Sequence, residues 1–73
     1  MKKIFKLEDL DCAHCAAKME TAINKLDGVQ RASINFLAQK LTLEAEEERF
    51  DTILQEAQKA IKRIEPDCRI IVK

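Results

Sequence analysis

Residues 29–36 (VQRASINF) and 40–44 (KLTLE) alternate apolar and polar side chains on either side of a short break. In the first segment Ala32, Ile34 and Phe36 occupy alternate positions, and two leucines repeat the pattern in the second. A period of two puts one set of side chains on one face of a strand, as is typical of a half-buried sheet. The two segments therefore predict an antiparallel hairpin in the middle of the chain.

A strand and a helix are predicted before this hairpin. Residues 3–8 (KIFKLE) place Phe5 and Leu7 on one face, which predicts a first strand. Residues 13–26 carry an apolar stripe at spacings of three and four, which is typical of a helix that packs one face on a core. An Asp-Gly pair follows this stretch as a stop signal.

A second helix and a last strand are predicted after the hairpin. Apolar residues recur at helical spacing over residues 50–64, behind an acidic run at 46–48 that suits the positive end of a helix dipole. Pro66 disfavours helical geometry in the residue before it and so ends this helix. Residues 68–73 then alternate again, with Cys68 on the apolar side.

The resulting order of elements is strand, helix, strand, strand, helix, strand. Two helices on one face of a four-stranded antiparallel sheet would bury all of these stripes, and the ferredoxin-like split βαβ arrangement has this order. We therefore predict an α+β protein, with a ferredoxin-like βαββαβ sandwich formed by one domain over residues 1–73.

The composition excludes several classes of function. Thirteen Lys and Arg residues balance thirteen Asp and Glu residues, so no net charge draws the chain to nucleic acid. The sequence has no apolar run of about 18 residues to span a membrane, and no leader peptide follows the lysines at its start. Its three cysteines are an odd number for a disulfide framework. We expect a monomeric cytoplasmic domain, outside the membrane, with reduced thiols.

The motif Asp11-Cys12-Ala13-His14-Cys15 is the strongest candidate site in the chain. Cys12 falls in the predicted loop after the first strand and Cys15 in the first helical turn, so both sulfurs can converge on one ion. The partial positive charge of a helix N-terminus stabilises thiolate, which is the form that ligates metal. Because sulfur ligands favour Cu(I), Zn(II) and other soft ions, the motif predicts a soft-metal site.

Asp11 bears on which metal the site takes. Two thiolates satisfy Cu(I), whereas Zn(II) favours about four ligands in a tetrahedron. A carboxylate beside Cys12 adds a hard oxygen and a negative charge, which favours Zn(II) or Cd(II). The alternative is that Asp11 is an ordinary loop residue or helix cap, accepting hydrogen bonds from backbone N–H groups.

Two further residues are weaker candidates. His14 lies about 100° around the helix from Cys15, so we expect it to point to solvent, where it could tune the thiols or contact a partner. Cys68 is best explained as core, since a free cysteine behaves as a small hydrophobe. The loop before Cys68 is expected at the same end of the sheet as the site, which leaves open a role as third sulfur.

Three segments of the chain match a familiar pattern: residues 10–18 (LDCAHCAAK), Gly28-Val29 and residues 33–36 (SINF). In these segments the chain resembles a heavy-metal-associated domain, and the resemblance covers nearly its whole length. Such domains occur as copper chaperones, as periplasmic mercury-binding proteins and as N-terminal modules of heavy-metal-transporting P-type ATPases. The resemblance implies the ferredoxin-like fold deduced above.

The chain is most similar to the N-terminal module of the zinc/cadmium/lead-transporting branch. That resemblance implies Asp11, Cys12 and Cys15 as ligands of Zn(II), Cd(II) or Pb(II). Copper-type members carry Gly-Met-Thr or Gly-Met-Ser before the first cysteine, where this chain has Asp-Leu-Asp. Cu(I) stays an alternative, because copper chaperones can also have a histidine at the place of His14, and Asp9 replaces a glycine common to both branches.

The resemblance also implies a binding module rather than an enzyme. It would pass metal by ligand exchange to the membrane portion of a P-type ATPase or to another metal-binding domain. It would lie in the cytoplasm, either alone or attached to a transporter in the plasma membrane. The sequence has no phosphate-cradling glycine loop, so we predict no ATPase activity of its own.

A thiol–disulfide oxidoreductase is the alternative from another class, because such enzymes also place Cys-x-x-Cys at a helix start. Against it, thioredoxin-like domains need a longer chain and a proline near the cysteines, whereas the single proline here, Pro66, ends the second helix. A structural dithiol without metal is a third alternative.

Overall fold

A computed structural model describes residues 1–72 of the chain. Two helices pack on one face of a four-stranded antiparallel sheet, which confirms the predicted ferredoxin-like βαββαβ fold. The elements in chain order are β1 (Lys2–Glu8), α1 (Ala13–Asn24), β2 (Val29–Asn35), β3 (Lys40–Ala45), a 3-10 turn (Glu47–Arg49), α2 (Phe50–Ile64) and β4 (Arg69–Ile71). Neither helix in the described part of the chain has the length and apolar character needed to cross a membrane.

The strands lie in the order β2-β3-β1-β4, so β2 and β4 form the two edges of the sheet. The predicted hairpin is present, with Ala32 opposite Leu43 and Ile34 opposite Leu41. β2 ends at Asn35, one residue before its predicted end, because the side chain of Asn35 accepts a hydrogen bond from a backbone N–H in the turn. The alternation of apolar residues therefore predicted correctly which face of the hairpin packs on the core.

The core lies between the sheet and the two helices. Both helices contribute fully buried side chains, such as Met19 of α1 and Ile53 of α2. No polar or charged residue is buried within residues 1–72. The buried residues are Leu7, Leu10, Ala16, Met19, Ile23, Ala32, Leu41, Leu43, Ala45, Phe50, Ile53, Ala57, Ile61, Cys68 and Ile70.

The first helix is shorter than predicted. α1 ends at Asn24, whereas the apolar stripe predicted an end at Leu26. The N–H groups of Lys25 and Leu26 donate to the carbonyls of Ala22 and Ile23, three residues back, so the last turn tightens and the helix stops. Leu26 still packs against the core, which is why the stripe extends past the helix.

Gly28 makes the connection from α1 to β2 possible. Its φ of +91° lies in the left-handed region, which glycine adopts without steric cost. A Cβ at this position would lie 2.8 Å from Cδ1 of Ile53 and 3.1 Å from a guanidinium nitrogen of Arg49. Gly28, part of the predicted stop signal, therefore also lets this connection lie close to Ile53 of α2.

The last strand is also shorter than predicted. β4 covers Arg69–Ile71, whereas alternation predicted residues 68–73. The backbone N–H of Cys68 donates to the carbonyl of Glu65 at 3.0 Å, so this residue closes a turn and pairing begins after it. Lys73, the end of the predicted strand, lies outside the described residues.

Candidate metal centre

The loop that leads to the cysteines begins with a left-handed residue. Asp9 has a φ of 60°, a region that suits glycine best and aspartate better than most residues. The turn is thus made here without a glycine. Leu10 follows and is only 2% exposed, so its side chain anchors the loop in the core.

Cys12 and Cys15 lie at the start of α1. Cys12 has extended backbone geometry (φ −127°, ψ 113°) and caps the helix, and Cys15 belongs to its first turn. The Cys12 sulfur accepts a hydrogen bond from the backbone N–H of Cys15, with Sγ and N 3.1 Å apart. A sulfur thus fills the place that Ser, Thr, Asp or Asn usually occupies at a helix start. Both thiols are half-buried.

The two thiols have unequal acidities. Hydrogen bonds from Cys15, first from its side chain and then from its backbone N–H, lower the pKa of the Cys12 thiol below its ordinary value. The hydrogen bond between the two side chains raises the pKa of the Cys15 thiol, and partial burial raises it further. Of the pair, Cys12 is therefore the thiol that ionises first.

Asp11 and His14 flank the thiols, and both are exposed. For His14 this agrees with the prediction that it points to solvent. Among residues 1–72, no three His, Cys, Asp or Glu side chains are grouped closely enough to hold a metal ion as they stand. The structure brings Cys12 and Cys15 together and leaves Asp11 on the surface beside them. Asp11 lines a shallow hollow together with Glu8, Asp9, Lys62, Pro66, Asp67 and Arg69, and neither cysteine is part of that lining.

Cys68 is fully buried, so the prediction that it belongs to the core is confirmed. Burial raises the pKa of its thiol to about 11, and the negative charges of Glu65, Asp9 and Asp11 add to the shift. These charges place Cys68 at the same end of the molecule as the two other cysteines. Its thiol is nevertheless neutral near pH 7 and covered by the core.

Glu65 is a residue that the sequence reasoning used only to end α2. It takes extended geometry (φ −140°, ψ 100°) ahead of Pro66, as predicted. Its negative charge acts to raise the pKa of both Cys12 and Cys15, and its Oε2 is buried without a hydrogen-bond partner. The charge of a residue 50 positions after Cys15 thus acts on the thiols. The sequence signal that could have pointed to Glu65 was the Glu-Pro pair, which lies in a loop expected at this end of the sheet.

Comparison with known proteins decides the family. A family model described as the heavy-metal-associated domain matches residues 4–67. The chain belongs to the heavy-metal-associated domain family. It is therefore a heavy-metal-binding module, and the resemblance seen in the sequence is confirmed.

Its curated relatives include large ATPases. Over 70 residues, the chain is 30% identical to the cadmium, zinc and cobalt-transporting ATPase of Bacillus subtilis, a match that covers 96% of this chain and 10% of that protein. Over 56 residues, it is 34% identical to the zinc/cadmium/lead-transporting P-type ATPase of Escherichia coli, covering 73% of this chain and 8% of that protein. The chain spans about a tenth of the length of these relatives.

Two solved structures of metal-handling proteins share the fold of this chain. The N-terminal domain of a potential copper-translocating P-type ATPase from Bacillus subtilis, in its Cu(I)-loaded state, superposes with a TM-score of 0.74. It is 26% identical, and the match covers 94% of this chain and 84% of that one. The CopZ metallochaperone gives a TM-score of 0.75 over 97% of this chain and 100% of its own, and at 21% identity it supports the fold alone.

Proposed function

We propose that this domain binds a soft divalent ion, Zn(II), Cd(II) or Pb(II), through Cys12 and Cys15, with Asp11 as an oxygen ligand. The observation that carries the proposal is the thiol pair at the start of α1, where the Cys12 sulfur accepts the Cys15 N–H at 3.1 Å. The positive helix end favours thiolate, and the half-exposed sulfurs leave a route for an ion to arrive and depart.

The carboxylates around the thiols support a divalent ion. Zn(II) favours about four ligands, so two sulfurs need help from oxygen donors. Asp11 is adjacent to Cys12 in the sequence and exposed, which makes its carboxylate the first candidate for such a donor. The negative charge of Glu65 also acts on both thiols. Added negative charge stabilises a +2 ion more than a +1 ion.

We also propose that the domain is a module on the cytoplasmic side of a metal-transporting P-type ATPase. The two curated relatives above are ATPases with cadmium and zinc in their names, and the chain spans about a tenth of their length. Its partner is then the membrane portion of that ATPase or another metal-binding domain. The ion passes by ligand exchange, in which a partner's thiolate or carboxylate bonds to the ion before a cysteine leaves it.

The alternative is Cu(I) binding, as a chaperone or as a module of a copper ATPase. Two observations favour it. The solved relative with 26% identity is described as Cu(I)-loaded, and two thiolates without a third converging ligand suit the low coordination of Cu(I).

Anaerobic competition titrations separate these two proposals. Reduced protein is titrated with Zn(II), Cd(II) and Cu(I) against a chelator of known affinity. We expect the double variant Cys12→Ser, Cys15→Ser to lose tight binding of all three ions. Unchanged affinity would remove the thiols from the site and end both proposals.

The variant Asp11→Asn tests the choice of metal. We expect it to weaken Zn(II) and Cd(II) binding by roughly tenfold or more, with little change for Cu(I). The matched control is Asp67→Asn, which neutralises another exposed carboxylate of the same hollow and should change neither affinity. Equal effects of Asp11→Asn on Zn(II) and Cu(I) would contradict a ligand role for this aspartate.

A further inference from the structure

We infer that Gln39 is a positioning residue that holds the metal-binding loop in place, a role that rests on the proposed function. Gln39 lies in the turn between β2 and β3, 29 positions after Leu10. Its side-chain amide contacts both polar groups of the Leu10 backbone. Nε2 donates to the Leu10 carbonyl at 2.7 Å, and Oε1 accepts from the Leu10 N–H at 3.2 Å.

The same residue is tied to the rest of the sheet. Nε2 also donates to the carbonyl of Phe36 at 2.9 Å, across the turn. The carbonyl of Gln39 accepts from the backbone N–H of Leu7 at 2.7 Å, and its own N–H donates to Phe36 at 3.3 Å. One residue therefore connects the loop, the end of β1 and the hairpin turn.

The backbone of Gln39 points to a role for its side chain. Its φ is 56°, in the left-handed region where glycine and asparagine are favoured and glutamine is not. The turn alone would be better served by one of those residues. The side chain that spans to Leu10 gives a physical reason for glutamine at this position.

Holding Leu10 matters because only Asp11 separates it from Cys12. The Leu10 side chain is buried in the core, and Gln39 fixes its backbone from the other side. A loop that is ordered before binding loses less conformational entropy when an ion draws the two sulfurs together. Gln39 thus raises metal affinity without touching the metal.

The variants Gln39→Gly and Gln39→Asn test this inference. Both residues suit a positive φ better than glutamine, which offsets the loss of the side-chain hydrogen bond to the Phe36 carbonyl in the turn. Neither side chain can span to Leu10, since glycine has none and asparagine is one methylene shorter. The matched control is Asn35→Ala, which removes the 3.0 Å hydrogen bond from the Ala38 N–H in the same turn and leaves Leu10 untouched.

Two measurements are made on each variant. In metal-free protein, amide hydrogen exchange at Leu10 should be at least about tenfold faster in both Gln39 variants, because its N–H loses its acceptor. The affinity for Cd(II) should fall by roughly five- to thirtyfold, as expected for the loss of two hydrogen bonds of ordinary strength. The Asn35 control should change neither quantity.

The outcomes distinguish this inference from the proposed function. If the original protein binds Cd(II) and both Gln39 variants bind it equally tightly, the positioning role is wrong and the metal site stands. If the original protein fails to bind Cd(II), the proposed function falls. Unchanged exchange at Leu10 would by itself contradict the inference, since it requires no metal.

Discussion

Replacing Asn24 by alanine should open one edge of the sheet and destabilise the domain. Asn24 is the last residue of α1, and its side chain reaches the outer side of the edge strand β2. Oδ1 accepts from the N–H of Ala32 at 2.8 Å, and Nδ2 donates to the Ala32 carbonyl at 2.9 Å. Nδ2 also donates to the Glu20 carbonyl at 2.9 Å.

The size of the effect follows from these contacts. The two hydrogen bonds to Ala32 are partly buried, and their loss costs about 2 kcal/mol together. Alanine has the better helix propensity, which offsets about 0.5 kcal/mol. The net loss of about 1.5 kcal/mol should lower the melting temperature of a domain of this size by roughly 6–12 °C.

Urea unfolding followed by circular dichroism measures this loss, and sedimentation shows whether the opened edge promotes association. The matched control is Thr21→Ala, because the Thr21 hydroxyl donates only to Ala17 within the exposed face of α1. It should cost less than about 0.5 kcal/mol. If Asn24→Ala is no more destabilising than Thr21→Ala, the contact of Asn24 with β2 does not stabilise the fold.

Four further predictions concern the other edge of the sheet, a glycine and, in two cases, the buried thiol. Gln58→Ala should also cost about 1.5 kcal/mol in urea unfolding, because Gln58 binds the N–H and carbonyl of Ile70 on β4 at 2.8 and 3.2 Å. Gly28→Ala should lower the free energy of unfolding by about 1–3 kcal/mol, since φ is +91° and the new Cβ would lie 2.8 Å from Ile53; a smaller loss would contradict the close contact. In native protein at pH 8, a thiol reagent should label the two half-buried cysteines and spare Cys68 until denaturant is added. Folding raises the pKa of Cys68 from 9.0 to about 11, so the stability that its neutral thiol contributes is full below pH 9 and is lost as the pH rises through 11. Between pH 9 and 11, the free energy of unfolding of Cys68→Ala should therefore fall less with rising pH than that of the original protein.

The contacts of Asn24 and Gln58 are equivalent in the two halves of the fold. Each helix supplies one carboxamide that pairs with one residue of an edge strand, Ala32 in the first half and Ile70 in the second. Paired backbone groups are not free to bind a strand of another molecule. This agrees with the expected monomer, which stays a prediction.

Local patterns were enough to predict most of the fold. Apolar alternation located the strands, and the stripe over residues 50–64 gave α2 with its bounds, because both depend on side chains that face one core. The ends of α1 and β4 were wrong by one or two residues. These ends depend on which carbonyl accepts a hydrogen bond from a single backbone N–H, as at Lys25 and Cys68. The spacing of apolar residues carries no information about that hydrogen bond.

The candidate site could also be predicted only in part from the sequence. Cys12 and Cys15 are three residues apart, so their meeting at a helix start could be predicted from spacing alone. Glu65 and Gln39 reach this end of the molecule from distant parts of the chain, through the path of the sheet. The contact of Gln39 with Leu10 therefore required the structure, and for Glu65 the sequence offered only the Glu-Pro pair as a signal.

The contact between Gln39 and Leu10 also has a consequence for when the site forms during synthesis. Both cysteines leave the ribosome well before Gln39, which follows Cys15 by 24 positions. At ordinary rates of translation that interval lasts roughly 1 to 5 seconds. During this interval the thiols belong to a nascent segment in which Leu10 has no Gln39 side chain to bind. If Gln39 orders the loop as we infer, the metal-binding loop reaches its final conformation only after the hairpin has been synthesised.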